Sequence, residues 1–220
     1  MMQAVLFDLD GVITDTAKYH FQAWKRLAST LSISIDERFN ERLKGVSRMD
    51  SLKRILEYGG LSNHHFTSIQ LEQMAEQKNN DYRQLIQGIT PKELLPGISE
   101  LLTALRSKGI KIALASASKN GPFILERLKI DTFFDSVVDP AKLRKGKPDP
   151  EIFLTAAAQL GIDPKECAGI EDSVAGIESI LAAGMFAVGV GVPENIGAHF
   201  RVASTTELTI DTLFSHFKHN

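Results

Sequence analysis

Residues 4–16 read AVLFDLDGVITDT: four apolar residues, then Asp8 and Asp10 on either side of Leu9, then Gly11. A run this short and this apolar, spanning 4–9, reads as a buried parallel strand, and it stops abruptly at Asp10-Gly11. An acidic pair in that pattern also fits a turn followed by a helix cap. Placement weighs against that reading for Asp8, because a charge inside a buried strand is costly unless it is paired or metal-bound. Working outward, similar short runs recur at 110–115, 137–138, 167–170 and 186–190. Helical patterns lie between them, at 98–108, 121–128, 150–160 and 174–183. Strands alternating with helices imply right-handed βαβ crossovers, so the expected class is α/β, with a Rossmann-like, doubly wound parallel sheet. Helix punctuation agrees. Asp149-Pro150-Glu151 offers a cap, a proline for the first turn and an acid near the positive helix end. Gly109, Gly161 and Gly184 each follow a helical pattern, where a left-handed residue is wanted.

The alternation breaks between residues 16 and 91. That interval carries only helical patterns, at 19–27, 49–56 and 69–86, and no convincing strand. The expected organisation is therefore a catalytic core made of 1–15 and 92–220, with a helical-bundle cap, 16–91, inserted after the first strand over the sheet's carboxyl edge. The second crossing holds a cluster of turn residues, Gly88, Pro91, Pro96 and Gly97.

Composition narrows the classes. With 220 residues, one large domain plus an insert is the natural division. A net charge of -2 gives no general attraction to nucleic acid or to an anionic membrane, so neither is expected as a partner. Phosphate recognition would have to come from a few placed cations. No apolar run is long enough to span a bilayer, and no basic stretch precedes an apolar one at the start, so a cytoplasmic protein is expected. The one cysteine, Cys167, sits in an apolar setting and reads as a buried structural thiol. No exposed apolar stripe argues against a monomer.

Ligands of doubly wound sheets sit beyond the carboxyl ends of the strands. At such positions stand Asp8 and Asp10 after the first strand, Ser116 after the second, Lys147 before a later helix, and Glu171-Asp172 after the fourth. Two acid pairs, a hydroxyl and a lysine would converge on one crevice. Clustered carboxylates with only hard oxygen donors nearby suit magnesium better than zinc.

These residues resemble, in order, the four motifs of the haloacid dehalogenase-like (HAD) hydrolases: Asp8-Leu9-Asp10-Gly11-Val12, Ser116, Lys147-Pro148-Asp149-Pro150 and Glu171-Asp172-Ser173. The resemblance implies Mg²⁺-dependent phosphoryl transfer with Asp8 as covalent nucleophile and Asp10 as general acid and base. Asp8, Asp172 and the Asp10 carbonyl would hold the metal, with Glu171 supporting it directly or through water. Lys147 and Ser116 would bind the transferring oxygens.

Within that superfamily the chain is similar to the β-phosphoglucomutase family over nearly its whole length, fading only after about residue 192. The likeness rests on residues 10–16 followed by His20 and Trp24, on Lys44-Gly45-Val46-Ser47-Arg48, and on Ala115-Ser116-Ala117-Ser118-Lys119-Asn120. Lys78 matches more loosely. This implies interconversion of β-glucose 1-phosphate and glucose 6-phosphate through β-glucose 1,6-bisphosphate, so the expected partner is a small sugar phosphate. Arg48 would grip the phosphate that is not being transferred, assisted by Ala117, Ser118 and Asn120, since a guanidinium fork offers paired donors. Lys44, Gly45, Val46 and Ser47 would shape the sugar pocket. His20 and Lys78 would couple closure to substrate, and Thr16 would sit at the hinge.

Plainer readings stand beside these. Arg48 also fits a solvated charge at a helix start, and Lys78 a solvated helix face. His20 and Trp24, spaced i, i+4, equally describe a packed face, which is the favoured role for Trp24. A phosphatase or mutase for another small sugar phosphate would use the same core chemistry; the 44–48 loop favours a mutase, because a simple phosphatase need not hold a second phosphate. A non-catalytic phosphate sensor would have no use for both Asp8 and Asp10.

Overall fold

The computed structural model describes residues 1–43, 45–61 and 65–217, so the expected sugar-pocket residue Lys44 lies outside the described residues. The chain forms two compact units, Met1–Asp15 with Ile89–Asn220, and Thr16–Gly88. The second break falls at 88/89 rather than 91/92. Ile89 is fully buried, and its carbonyl accepts from Arg127 Nε at 3.1 Å, which binds the start of the returning segment to the larger unit.

In the larger unit, strands β1 (Ala4–Phe7), β2 (Lys111–Leu114), β3 (Ser136–Val137), β4 (Cys167–Glu171), β5 (Phe186–Val190) and β6 (Phe200–Val202) form one sheet. Their order is β3-β2-β1-β4-β5-β6 and every pairing is parallel. Helices α5 (Ile98–Ser107), α6 (Gly121–Leu128), α7 (Glu151–Leu160), α8 (Val174–Ala182) and α9 (Ile210–Phe217) belong to the same unit. All residues of β1, β4 and β5 are buried, as a parallel sheet covered on both faces requires. Leu6, Ala113, Phe153, Ile177 and Ile180 share one apolar cluster, and burying a large apolar side chain contributes about 1.5–3 kcal/mol. Cys167 lies in that cluster; burial first, then Asp163 and Glu166, pushes its thiol up to about 12, so it remains an inert thiol. Gly161 ends α7 in the left-handed conformation at φ 69°.

The start of α7 lies one residue later than expected: Pro150 is itself the cap rather than the first helical residue, while Asp149 Oδ1 still accepts from the N–H of the first helical residue, Glu151, at 3.0 Å. Strand β6 went unread because the exposed Arg201 at its centre breaks the apolar run that marks the other strands.

One side chain fastens the β2–β3 edge. Asp135 Oδ2 accepts from the Ile112 N–H at 2.9 Å, while Oδ1 accepts from Lys111 Nζ at 2.9 Å and Arg106 Nη1 at 3.1 Å. Partial burial would raise this carboxyl, but the Ile112 N–H, Lys111 and Arg106 outweigh it and hold it below 3.8. A carboxyl depressed by folding stabilises above its unfolded pKa and loses that stabilisation as pH falls through the folded one. Asp135→Asn is therefore expected to lower stability at neutral pH by about 1–2 kcal/mol. The gap from wild type should shrink as pH drops below 3.8. Urea unfolding of both proteins at neutral and acid pH checks this, and a gap that widens on acidification would contradict it.

The smaller unit is helical: α1 (Ala17–Thr30), α2 (Glu37–Glu41), α3 (Arg48–Tyr58) and α4 (Ser68–Leu85). Side chains start three of them. Asp36 accepts from Phe39 N–H, Ser47 from Asp50 N–H, and Thr67 makes a capping box with Gln70. Trp24, Leu27, Ile35, Phe39, Leu52 and Ile55 form its core. Among the described residues, no helix is long and apolar enough to cross a membrane.

Candidate active site

The strand order reverses between β1 and β4, so the crevice beyond their carboxyl ends is where this topology places a ligand. Asp8 follows β1 directly, and its N–H donates to Ile170 O at 3.0 Å, extending the β1–β4 ladder by one step. Glu171 ends β4 and Asp172 comes next. Lys147 reaches the same point from the loop before α7: Nζ donates to Asp8 Oδ1 at 2.7 Å and to Glu171 Oε1 at 2.5 Å. The ammonium is fully buried and lies 5.1 Å from the Phe153 ring centroid, so α7 backs it with an aromatic face.

The electrostatics are those of a carboxylate cluster with too little positive charge. Burial raises the Asp8 carboxyl well above its usual range. Lys147 opposes that rise, and Glu171, Asp10 and Asp172 add to it. Burial would lower Lys147, but Asp8 and Glu171 hold it above its ordinary value. Asp8, Glu171 and Asp172 each bring an oxygen within 4.8 Å of the others. An all-oxygen set with surplus negative charge fits a hard divalent cation.

Glycines make room for these acids. A Cβ on Gly11, whose φ is +74°, would lie 2.0 Å from Asp172 Oδ2, so the glycine of the Asp-x-Asp-Gly motif is needed for conformation and for clearance. On Gly176, inside α8, a Cβ would lie 1.9 Å from Glu171 Cδ. Gly176 is the third residue of α8, and the space it leaves admits the carboxylate against the first turn of that helix. Ser173 does two jobs there: Oγ donates to Glu171 Oε2 at 2.9 Å and accepts from Gly176 N–H at 3.1 Å. Backbone N–H groups of Asp172 and Ser173 also donate to Glu171 Oε2, each at 2.9 Å. Ser173 was legible as a motif residue, but nothing in the sequence marked Gly176.

The remaining core residues follow the strands. Ser116 is buried, two residues past β2, and its Oγ accepts from Ser118 N–H at 3.2 Å; Ser118 Oγ in turn accepts from Asn120 N–H at 3.3 Å. Ala117, Ser118 and Asn120 are half-buried. Asp10 is half-buried and bridges to Thr14.

In the helical unit, Lys78 is 2% exposed, which removes the solvated-face reading. Its ammonium can only donate, so His20 Nδ1 accepts at 2.8 Å and the ring proton resides on Nε2. Burial first, then Lys78 and Arg48, lowers the His20 pKa well below 6.5, keeping the ring neutral. Lys78 also lies 4.6 Å from the Trp24 ring and 4.9 Å from the Tyr82 ring. Trp24 belongs to the apolar core, in keeping with packing. Tyr82, which the sequence did not single out, shares a 2.9 Å hydrogen bond with the Thr16 hydroxyl. Arg48 is no solvated charge: its side chain is 18% exposed and Nη1 donates to Ala75 O and Glu76 Oε2, both at 3.4 Å. Gly45, Val46 and Ser47 are half-buried beside it, Ser47 capping α3.

Comparison with known proteins places this arrangement. Residues 2–184 match the haloacid dehalogenase-like hydrolase family. The chain is 52% identical over 218 residues to a β-phosphoglucomutase of Bacillus subtilis, covering 99% of this chain and 96% of that one. It is 30% identical over 186 residues to a phosphorylated carbohydrates phosphatase of Thermotoga maritima, covering 84% and 82%. The crystal structure of β-phosphoglucomutase from Clostridium difficile superposes with a TM-score of 0.97 at 48% identity, covering 100% and 98% of the two chains.

Proposed function

The chain belongs to the haloacid dehalogenase-like hydrolases, and from that premise we propose that it is an isomerase interconverting β-D-glucose 1-phosphate and D-glucose 6-phosphate. One observation carries the choice of mutase over phosphatase. The 52% identity to a β-phosphoglucomutase runs through 99% of the chain, helical unit included, whereas the phosphatase relative shares 30% over 84%.

Asp8 is the nucleophile and carries the phosphoryl group as an acyl phosphate. The C6 hydroxyl of β-glucose 1-phosphate attacks that phosphorus, Asp10 takes the hydroxyl proton, and Asp8 is released as carboxylate with β-glucose 1,6-bisphosphate formed. After the bisphosphate turns round, Asp8 attacks the phosphorus on O1. Asp10 returns its proton to O1, so glucose 6-phosphate leaves and the phosphoenzyme is restored. Lys147 and Ser116 bind the transferring oxygens and stabilise charge as it spreads in the transition state. Arg48 binds the phosphate at rest, with Ala117, Ser118 and Asn120 assisting. His20 and Lys78 are a preset pair that responds to substrate, and Gly45, Val46 and Ser47 shape the sugar pocket. Asp8, Asp172 and the Asp10 carbonyl, supported by Glu171, would hold Mg²⁺, which when bound offsets the repulsion between nucleophile and phosphate. A small sugar phosphate is the partner, and one buried thiol accords with a reducing, cytoplasmic setting.

The test supplies β-glucose 1-phosphate, Mg²⁺ and a trace of β-glucose 1,6-bisphosphate, with Asp8→Asn as the blank. Rapid formation of glucose 6-phosphate with little free phosphate is expected. Free phosphate as the main product would sink the mutase reading and leave a phosphatase.

A further inference from the structure

Lys147 stands in no helix or strand, yet its Nζ meets Asp8 at 2.7 Å and Glu171 at 2.5 Å. Positioning of that accuracy on a loop needs the loop itself to be held. Downstream of Lys147, the Ser179 hydroxyl, fully buried in α8, donates to Asp149 O at 2.7 Å, and Asp149 N–H donates to Gly146 O at 3.0 Å. Upstream, Leu143 packs against the core cluster and Lys145 Nζ pairs with Asp149 Oδ2 at 3.2 Å, and one oxygen takes both backbone N–H groups. Glu151 Oε2 accepts from the Arg144 N–H at 3.0 Å and the Lys145 N–H at 2.8 Å, three and two residues before Lys147. Glu151 is also the first residue of α7, the helix whose Phe153 lies under the Lys147 ammonium. The carboxylate thus ties the approach to Lys147 to the helix that backs it.

We infer that Glu151 is a positioning residue for the phosphoryl-transfer step, fixing Lys147 through the backbone N–H groups of Arg144 and Lys145. This rests on the reading of Lys147 as the clamp on the transferring phosphoryl group. The competing account of Glu151 is an acid at the positive end of a helix, which needs its charge. The positioning account needs an acceptor oxygen at that reach, which glutamine keeps and alanine lacks.

The experiment compares wild type, Glu151→Gln, Glu151→Ala and Lys147→Ala with Mg²⁺, below the unfolding temperature of each. It measures kcat and KM for β-glucose 1-phosphate and, in parallel, for hydrolysis of acetyl phosphate, which loads Asp8 without a sugar. Glu151→Ala is expected to lower kcat about 10–100-fold on both substrates with KM within about threefold, as removal of a supporting partner does. Glu151→Gln should stay within about threefold of wild type in kcat although it loses the charge. Glu151→Ala at the wild-type rate, or Glu151→Gln as slow as Glu151→Ala, overturns the inference while a slow Lys147→Ala leaves the site reading intact. Lys147→Ala at the wild-type rate overturns the site reading and this inference with it. Wild type active on acetyl phosphate alone removes the sugar assignment only, and Glu151 is then judged on acetyl phosphate.

Discussion

Asp8→Asn is expected to abolish turnover, by at least about 10⁴-fold, and at the same time to raise the unfolding temperature in the absence of metal. The first half follows from chemistry: an amide does not form an acyl phosphate. The second follows from the cluster. Asp8 is buried, and burial together with Glu171, Asp10 and Asp172 raises its carboxyl well above the ordinary range despite Lys147. A carboxyl whose pKa is raised by folding is worth less to the folded state when ionised, so the wild type gives up stability at neutral pH to keep this group charged. Asparagine has nearly the same shape and still offers Lys147 an oxygen, without the charge. Thermal unfolding in a chelator, with the turnover assay beside it, tests both halves. An inactive variant that unfolds below wild type without metal would mean that the Lys147 contact outweighs the repulsion among the acids.

How far the sequence could be read depends on the range of the physics involved. Asp8 and Glu171 were legible because each interrupts an apolar strand, an anomaly visible in a few neighbouring residues. The alternation of strands and helices was legible for the same reason, and so was the helical unit's lack of strands. The two-residue β3 was read because it overlaps the apolar pair Val137-Val138, whereas β6 is interrupted by the exposed Arg201, and α2, of five residues, is too short to display a helical period. Gly176 carried no local signal; its reason is a carboxylate brought in from the end of β4. Glu151 looked like a helix-start acid, and its carboxylate turned out to face backwards onto Arg144 and Lys145. Lys78 reads locally as a solvated charge, but its ammonium lies within 4.9 Å of both the Trp24 and Tyr82 rings. In each case the deciding contact depends on the folded approach of elements, which local pattern does not encode.

Lys147→Ala is expected to lower turnover about 10²–10³-fold and, unlike Asp8→Asn, to lower stability as well. Lys147 is the only lysine or arginine side chain among the described residues that pairs with Asp8 and Glu171. Its removal leaves Asp8, Glu171 and Asp172, with oxygens within 4.8 Å of one another, facing a space where the ammonium had been. Breaking a buried pair by deleting one partner typically costs about 3–5 kcal/mol, because the other charge stays buried without compensation. Two carboxylates lose their partner here, so the variant should depend on a divalent cation for folding far more than wild type does. Thermal unfolding with and without Mg²⁺ reads this directly, since a cation that binds only the folded state stabilises by mass action. The expected result is a larger Mg²⁺-induced rise in unfolding temperature for Lys147→Ala than for wild type, and a smaller one for Asp8→Asn. Equal rises in all three proteins would show that the carboxylate cluster does not hold the cation, and the metal assignment would have to move elsewhere.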